Sequence, residues 1–108
     1  MLTIHKFPIK STNNISIRAA RGARPLCVQV QDGAPCVWML LDAAREQCKH
    51  LFRIYGTGWD MDDTVRMEQY VGTFQVDGGM LIWHLFYVGE VMTEVVVLDG
   101  EQREEGVV

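Results

Sequence analysis

The chain has 108 residues, of which 48% are apolar and 22% are charged; this is the size and composition of one folded domain, and it excludes a disordered chain. No apolar run reaches the roughly 18 residues of a membrane-spanning helix, and the first residues lack a secretory signal, so we expect a cytoplasmic protein with no membrane partner. The net charge of −4 disfavours nucleic acid as a partner.

Basic residues are concentrated at the start of the chain, because no acidic residue precedes Asp32. This asymmetry could steer an anionic partner to one end of the protein. The simpler alternative is that folding interleaves the two segments in one sheet and cancels the asymmetry. The basic residues before Asp32 are Lys6, Lys10, Arg18, Arg21 and Arg24.

The first elements in chain order are two β-rich segments. Residues 2–9 and 15–19 are predicted to form an opening pair of strands, joined by the polar turn 11–14. Residues 51–55 are predicted to form a further strand, which ends at Gly56-Thr57-Gly58.

A first hairpin is predicted around Asp32 and Gly33. Apolar and polar side chains alternate over residues 26–31, and Asp-Gly tolerates the positive φ that a tight turn requires. The return strand, residues 36–41, is apolar at every position, so we expect a central strand covered on both faces. Cys27 and Cys36 flank this turn; free thiols are the simplest interpretation, and a cross-strand disulfide is geometrically conceivable.

A second hairpin follows the same logic. Residues 70–76 lead into Asp77-Gly78-Gly79, and residues 80–87 form an apolar return strand. Residues 91–98 are β-rich and could add a last strand. We therefore predict a single β domain over residues 1–98, followed by an acidic C-terminal tail, residues 99–108, which could be disordered.

Helix is scarce in this pattern. Residues 42–47 could form a short helical turn capped by Asp42, and Asp62 or Asp63 could cap another. The predicted fold is therefore mainly β, a small antiparallel barrel or sandwich of about seven strands with one or two short helical turns.

No catalytic or metal motif is present in the linear sequence. The cluster Asp60-Met61-Asp62-Asp63 lacks the glycine and glutamate of a calcium loop, and helix capping explains it better. The histidines His5, His50 and His84 are too scattered for a linear metal motif. We therefore expect no enzymatic activity, no catalytic residue, no metal and no cofactor.

Candidate ligand-binding residues surround the glycine turn after the strand 51–55. Backbone amides at such a turn could approach a phosphate, a nearby arginine could pair with it, and an aromatic ring could stack on a base. Packing in a small β core is the alternative role for the aromatic residues. The candidates are Arg53, Tyr55, Gly56, Thr57, Gly58, Trp83 and His84.

Several segments resemble an uncharacterised family of small proteins of tailed phages and prophages. The resemblance covers roughly residues 1–87 and lies in residues 26–31, 35–38, 52–58, 70–75 and 83–86. It implies a phage-linked origin and the cytoplasm of an infected bacterium, and it supplies no residue role.

Two functions follow as hypotheses. The first is a non-catalytic binding or interaction module that binds itself as a homo-oligomer, or binds a host or phage protein, through an exposed sheet edge. The alternative is a small-ligand protein that binds an anionic, nucleotide-like signal and acts against host defence.

Overall fold

The computed structural model describes residues 1–91 and, as backbone, the strands Glu94–Leu98 and Glu101–Glu105. Residues 1–91 form two antiparallel sheets that enclose one core. In spatial order the three-stranded sheet contains β1 (Leu2–Pro8), β4 (Ala34–Asp42) and β3 (Arg24–Gln31). The four-stranded sheet contains β2 (Asn14–Ala20), β5 (Gln47–Gly56), β7 (Leu81–Val91) and β6 (Tyr70–Val76).

The predicted mainly β class is confirmed, and the arrangement is a sandwich of seven strands. The two sheets meet at the edges of β3 and β6 without hydrogen-bonded pairing, so they do not close into a barrel. Two 3-10 turns, Met67–Gln69 and Asp77–Gly79, are the helical elements of the described residues. No helix in this part of the chain is long and apolar enough to cross a membrane.

The helical turn predicted over residues 42–47 is wrong. Asp42 accepts a hydrogen bond from the Ala44 amide at 3.0 Å, but residues 43–46 form a non-helical turn. The reason is that this segment connects β4 to β5 in the other sheet, and four residues are too few to hold a helix and cross between layers.

Both predicted hairpins are present. Asp32 and Gly33 adopt φ values of 52° and 79° between β3 and β4, as a type I′ turn requires. The second turn also depends on positive φ, at Asp77, Gly78 and Gly79. The two apolar return strands lie at central positions, β4 between β1 and β3, and β7 between β5 and β6.

The predicted pairing of the first two strands is wrong, because β1 and β2 lie in different sheets. β1 pairs with β4, and β2 pairs with β5. The connecting residues cross between the layers: the Ile9 amide donates to the Pro35 carbonyl at 3.0 Å, and the Ile54 amide donates to the Asn13 carbonyl at 3.0 Å. Pairing of β1 with β4 and of β2 with β5 is therefore preferred over a local hairpin between β1 and β2.

The last predicted strand, residues 91–98, corresponds to the end of β7 and to β8 (Glu94–Leu98). Within the predicted tail, β9 (Glu101–Glu105) pairs with β8 as an antiparallel hairpin. Residues 92–93, 99–100 and 106–108 lie outside the described residues, and the domain boundary at residue 98 stays a prediction.

The core lies between the sheets and is filled by alternate residues of the central strands. Val37 and Met39 of β4, Phe52 of β5 and Leu85 of β7 are at most 1% exposed. Burying a side chain of this size contributes roughly 1.5–3 kcal/mol. His50 lies among them with no exposed surface, so one strongly polar group is part of the interior.

Candidate functional site

A cleft of about 340 Å³ lies at the edge of the four-stranded sheet, between residues 59–62 and the start of β2. Arg53 and Tyr55, which are two residues apart on the outward face of β5, both line it. The Tyr55 hydroxyl is buried and has no hydrogen-bond partner in the part of the chain that the structure describes. The polar lining residues are Asn13, Asn14, Arg53, Tyr55, Asp60 and Asp62.

The charges of this cleft do not favour a phosphate. The Arg53 guanidinium lies 3.7 Å from the Asp62 carboxylate, and Asp60 adds a second acidic group. Hydrogen bonds from the Thr64 amide and hydroxyl, followed by the charge of Arg53, hold the pKa of Asp62 below its usual value. Asp62 is therefore a carboxylate at neutral pH, and an anion would have to compete with it for Arg53.

His84 lies outside this cleft and holds the glycine turn against the sheet. Its Nε2 and Nδ1 atoms are each 2.8 Å from a threonine hydroxyl, Thr57 and Thr73 respectively. The Tyr70 hydroxyl is 2.6 Å from the Thr73 hydroxyl. Because both ring nitrogens already have partners, the arrangement orders the turn and leaves His84 poorly placed to act as a base.

Trp83 and Gly56 serve the packing of Trp59. The Trp83 ring meets the Trp59 ring edge to face, with centroids 5.4 Å apart. A Cβ atom on Gly56 would lie 2.6 Å from the Trp59 ring, so glycine permits this stack. The Trp59 amide donates to the Gly56 carbonyl at 3.1 Å and closes the turn.

The structure places the predicted residues in neighbouring groups. Arg53 and Tyr55 share the cleft, His84 lies opposite Tyr55 and is bonded to Thr57, and Gly56 and Trp83 pack around Trp59, which also lines the cleft. Gly58 adopts a φ of 85° and lies at the exposed turn. Sequence proximity suggested one site, but adjacent residues of a strand point to opposite faces.

A second surface is the exposed edge of β1 and the outer face of its sheet. Among the described residues β1 pairs only with β4, so its other edge carries unpaired backbone groups. Leu2 and Ile4 are 65% and 55% exposed on the outer face, and Ile4 lies beside Leu40 of β4. The half-buried Trp38 continues this apolar strip toward Cys27 of β3.

The thiols on this sheet are not cross-linked. Cys27 and Cys36 are both free, and they lie diagonally across the β3–β4 pair, opposite Trp38 and Gln29 respectively. The expectation of free thiols is therefore confirmed for both residues.

A third place of interest is a polar group in the core that sequence reasoning missed. Cys48 and His50 point inward from β5, and the Glu90 carboxylate of β7 lies beside them. His50 Nδ1 is 2.8 Å from the Tyr87 hydroxyl, and Nε2 is 3.0 Å from the Ala20 carbonyl. The spacing of Cys48 and His50, two residues apart on a strand, is the one local signal that could have indicated this cluster.

Comparison with known proteins gives a family without a function. No curated protein and no solved structure matches the chain. One family model, a domain of unknown function (DUF7352), matches residues 1–94. That range contains both sheets of the sandwich and all three places described above, and the chain belongs to this family.

Proposed function

We propose that this protein is a non-catalytic interaction module that self-associates through the edge of β1, its partner being a second copy of the chain. The observation that carries the proposal is the exposure of this strand. Six of its seven residues are exposed, Leu2 and Ile4 among them. The unpaired backbone groups of an exposed edge are a template for adding a strand from another chain, and apolar side chains beside them would be buried by it.

The edge also lacks most of the features that protect natural sheet edges. Such edges carry charges, prolines or bulges that block pairing. β1 pairs with β4 in continuous register, its proline lies at its last position, and Lys6 is its one charged side chain. Seven residues are a common strand length, long enough for an intermolecular ladder.

Two copies related by a two-fold axis at Ile4 would pair the free backbone groups of this edge without placing like charges opposite each other. Antiparallel pairing about that axis places Lys6 opposite Leu2 of the second copy. The two Lys6 residues are then four positions apart along the ladder, about 13 Å. This exceeds the Debye length of roughly 8 Å at physiological ionic strength, so their repulsion is largely screened.

The chemistry of the buried thiol supports the non-catalytic part of the proposal. Cys48 Sγ is 3.5 Å from His50 Nε2, but that nitrogen must donate its proton to the Ala20 carbonyl, since a carbonyl only accepts. Burial, and then the charge of Glu90, raise the pKa of the Cys48 thiol. An activated cysteine needs the opposite, a lowered pKa and a base free to take its proton.

Sedimentation equilibrium over a wide concentration range tests the proposal. We expect a monomer–dimer equilibrium in the micromolar range, which corresponds to about −8 kcal/mol. In the variant Ile4→Lys, two ammonium groups would lie opposite each other at the axis, and we expect at least about tenfold weaker association, or 1.4 kcal/mol. Ile4 is 55% exposed, so the monomer should tolerate the change.

The matched control is Leu26→Lys. Leu26 is 47% exposed and lies on β3, at the opposite edge of the same sheet. This variant adds the same charge to a similar site and should dimerise like the wild type. A wild-type protein that stays monomeric at the highest concentration, or a dimer insensitive to Ile4→Lys, would refute the proposal.

The alternative is a small nucleotide-like ligand bound in the cleft at Arg53 and Tyr55. The unpartnered Tyr55 hydroxyl favours some ligand there, while Asp62 competes for the arginine. Thermal unfolding with mono-, di- and cyclic nucleotides tests it, since a ligand at 100 times its Kd adds about 2.7 kcal/mol. Stabilisation that disappears in Arg53→Gln would support this alternative. The absence of any shift would reject it.

The biological setting stays a prediction. The phage or prophage origin, the action against host defence and the cytoplasmic location depend on the resemblance and on composition. Self-association through β1 does not require any of them, so its test does not depend on the biological setting.

A further inference from the structure

A β-bulge brings three metal-ligating side chains together inside the four-stranded sheet. Cys48 and His50 share the inward face of β5 because they are two residues apart. The pairing of β5 with β7 shifts by one residue between Leu51 and Phe52, so Glu90 lies directly opposite His50. Without that extra residue, strand alternation would direct Glu90 to the outer face.

We propose that Cys48, His50 and Glu90 bind one zinc ion. One potential ligand atom from each residue lies within 4.8 Å of the other two. Tetrahedral zinc with a sulfur ligand at about 2.3 Å and a nitrogen ligand at about 2.0–2.1 Å separates these two atoms by roughly 3.5 Å. Cys48 Sγ and His50 Nε2 are 3.5 Å apart. Glu90, whose carboxylate accepts a hydrogen bond from the Gly22 amide, is the exposed third member.

Zinc binding would replace one hydrogen bond of His50 and keep the other. In the free protein, Nε2–H donates to the Ala20 carbonyl and Nδ1 accepts from the Tyr87 hydroxyl. Zinc on Nε2 moves the ring proton to Nδ1, which then donates to the Tyr87 oxygen. The Ala20 carbonyl oxygen, 3.0 Å from Nε2 in the direction of the ring proton, has to move aside for the ion, and the Ala23 amide at 3.1 Å remains its donor.

Tyr87 thereby acts as the positioning residue for His50. A histidine that binds a metal usually donates its other ring proton to a fixed oxygen, which sets the orientation of the ring. The Tyr87 ring also packs on Phe52 with centroids 5.0 Å apart, so the hydroxyl is held by the core. His50 has no exposed surface, so the surrounding core restricts the rotation of its ring.

The charges of the bound site balance. Binding converts the Cys48 thiol to a thiolate and releases one proton to the solvent, so two anionic ligands face a doubly charged cation. Glu90 is the exposed member of the set, so solvent reaches the ion on that side.

Cobalt(II) is the spectroscopic probe, because zinc itself has no visible spectrum. Titration of the reduced full chain with cobalt(II) should give one thiolate-to-metal charge-transfer band and the visible bands of a four-coordinate ion, saturating at one equivalent. Zinc should displace the cobalt stoichiometrically. Zinc binding followed by calorimetry in buffers of different ionisation enthalpy should report the release of about one proton.

Matched variants assign the ligands. Glu90→Gln changes an exposed side chain and should lower zinc affinity at least about tenfold, since even outer-shell losses cost about 10–100-fold. Cys48→Ala should abolish the charge-transfer band. Two controls should leave both readouts unchanged: Cys27→Ala removes a thiol of the other sheet, and Glu46→Gln removes an exposed carboxylate near Cys48.

Several results would overturn the site. They are a cobalt complex without a thiolate band, saturation at any ratio other than one, or affinities that Cys48→Ala and Glu90→Gln leave unchanged. Circular dichroism of each variant separates loss of the ligand from loss of the fold. The Ile4→Lys variant should bind zinc normally, so this test is independent of self-association through β1.

Discussion

The junction of the two sheets at β3 and β6 depends on the absence of a side chain at Gly72. A Cβ atom at this position would lie 2.9 Å from Val28 Cγ1, whereas carbon atoms pack at about 3.5–4.0 Å. Val28 is 6% exposed and belongs to the core, so its side chain has little room to yield. Gly72→Ala therefore overpacks the interface between the sheets, at a cost of roughly 1–3 kcal/mol.

Thermal and urea unfolding of a double-mutant cycle measure this cost. Gly72→Ala alone should lower Tm by about 4–8 °C for each kcal/mol lost. Val28→Ala alone leaves a cavity and should cost about 2 kcal/mol, from two methyl groups and the space that they leave. The double variant should be more stable than the sum of the two predicts, by about 1 kcal/mol or more, because each change relieves the other. Strict additivity would refute this account of the junction.

Three further changes probe the core and the cleft loop. Tyr87→Phe leaves His50 Nδ1 without its donor and should cost about 1–3 kcal/mol at neutral pH, by urea unfolding. Burial raises the pKa of Tyr87, so its stabilisation is complete below about pH 10 and lost as pH rises; the variant should lose less stability at alkaline pH. Phe52→Ala should lower the free energy of unfolding by about 3–5 kcal/mol, since its ring is 1% exposed in the core. Asp62→Ala should lower the protection of the Thr64 amide against hydrogen exchange, measured at one pH for both proteins, because the amide loses its bond to the Asp62 carboxylate.

Local chemistry explains why both hairpins were predictable. Asp32-Gly33 and Asp77-Gly78-Gly79 carry the positive φ values that their turns need, and each precedes a strand that is apolar on both faces. The continuous apolar pattern of residues 36–41 indicated a central strand, and β4 is central. Such signals involve neighbours in sequence, so no knowledge of distant pairing was needed.

Local sequence signals could not predict which distant strands pair. The partner of β1 is β4, and the choice depends on the competition among all strands for two central positions. The sequence also did not show how the predicted ligand-binding residues divide between the two faces of the sheet. Trp83 and His84 are adjacent in sequence, but the pleat of β7 directs Trp83 toward Trp59 and His84 toward Thr57 and Thr73.

The Cys48–His50–Glu90 cluster could not be predicted from the sequence because it depends on a change of register between β5 and β7. Simple alternation along β7 from Tyr87, which faces inward opposite Phe52, would place Glu90 outward. The structure instead pairs Gly89 with Leu51 and Glu90 with His50, and Gly89 adopts a φ of 142°. Glycine tolerates this backbone, so the bulge costs little where it forms. Once Glu90 faces inward, its carboxylate accepts the Gly22 amide from the β2–β3 turn. One glycine in β7 thus decides which side of the sheet receives a charge, and the cluster exists because that charge is placed beside a buried thiol and imidazole.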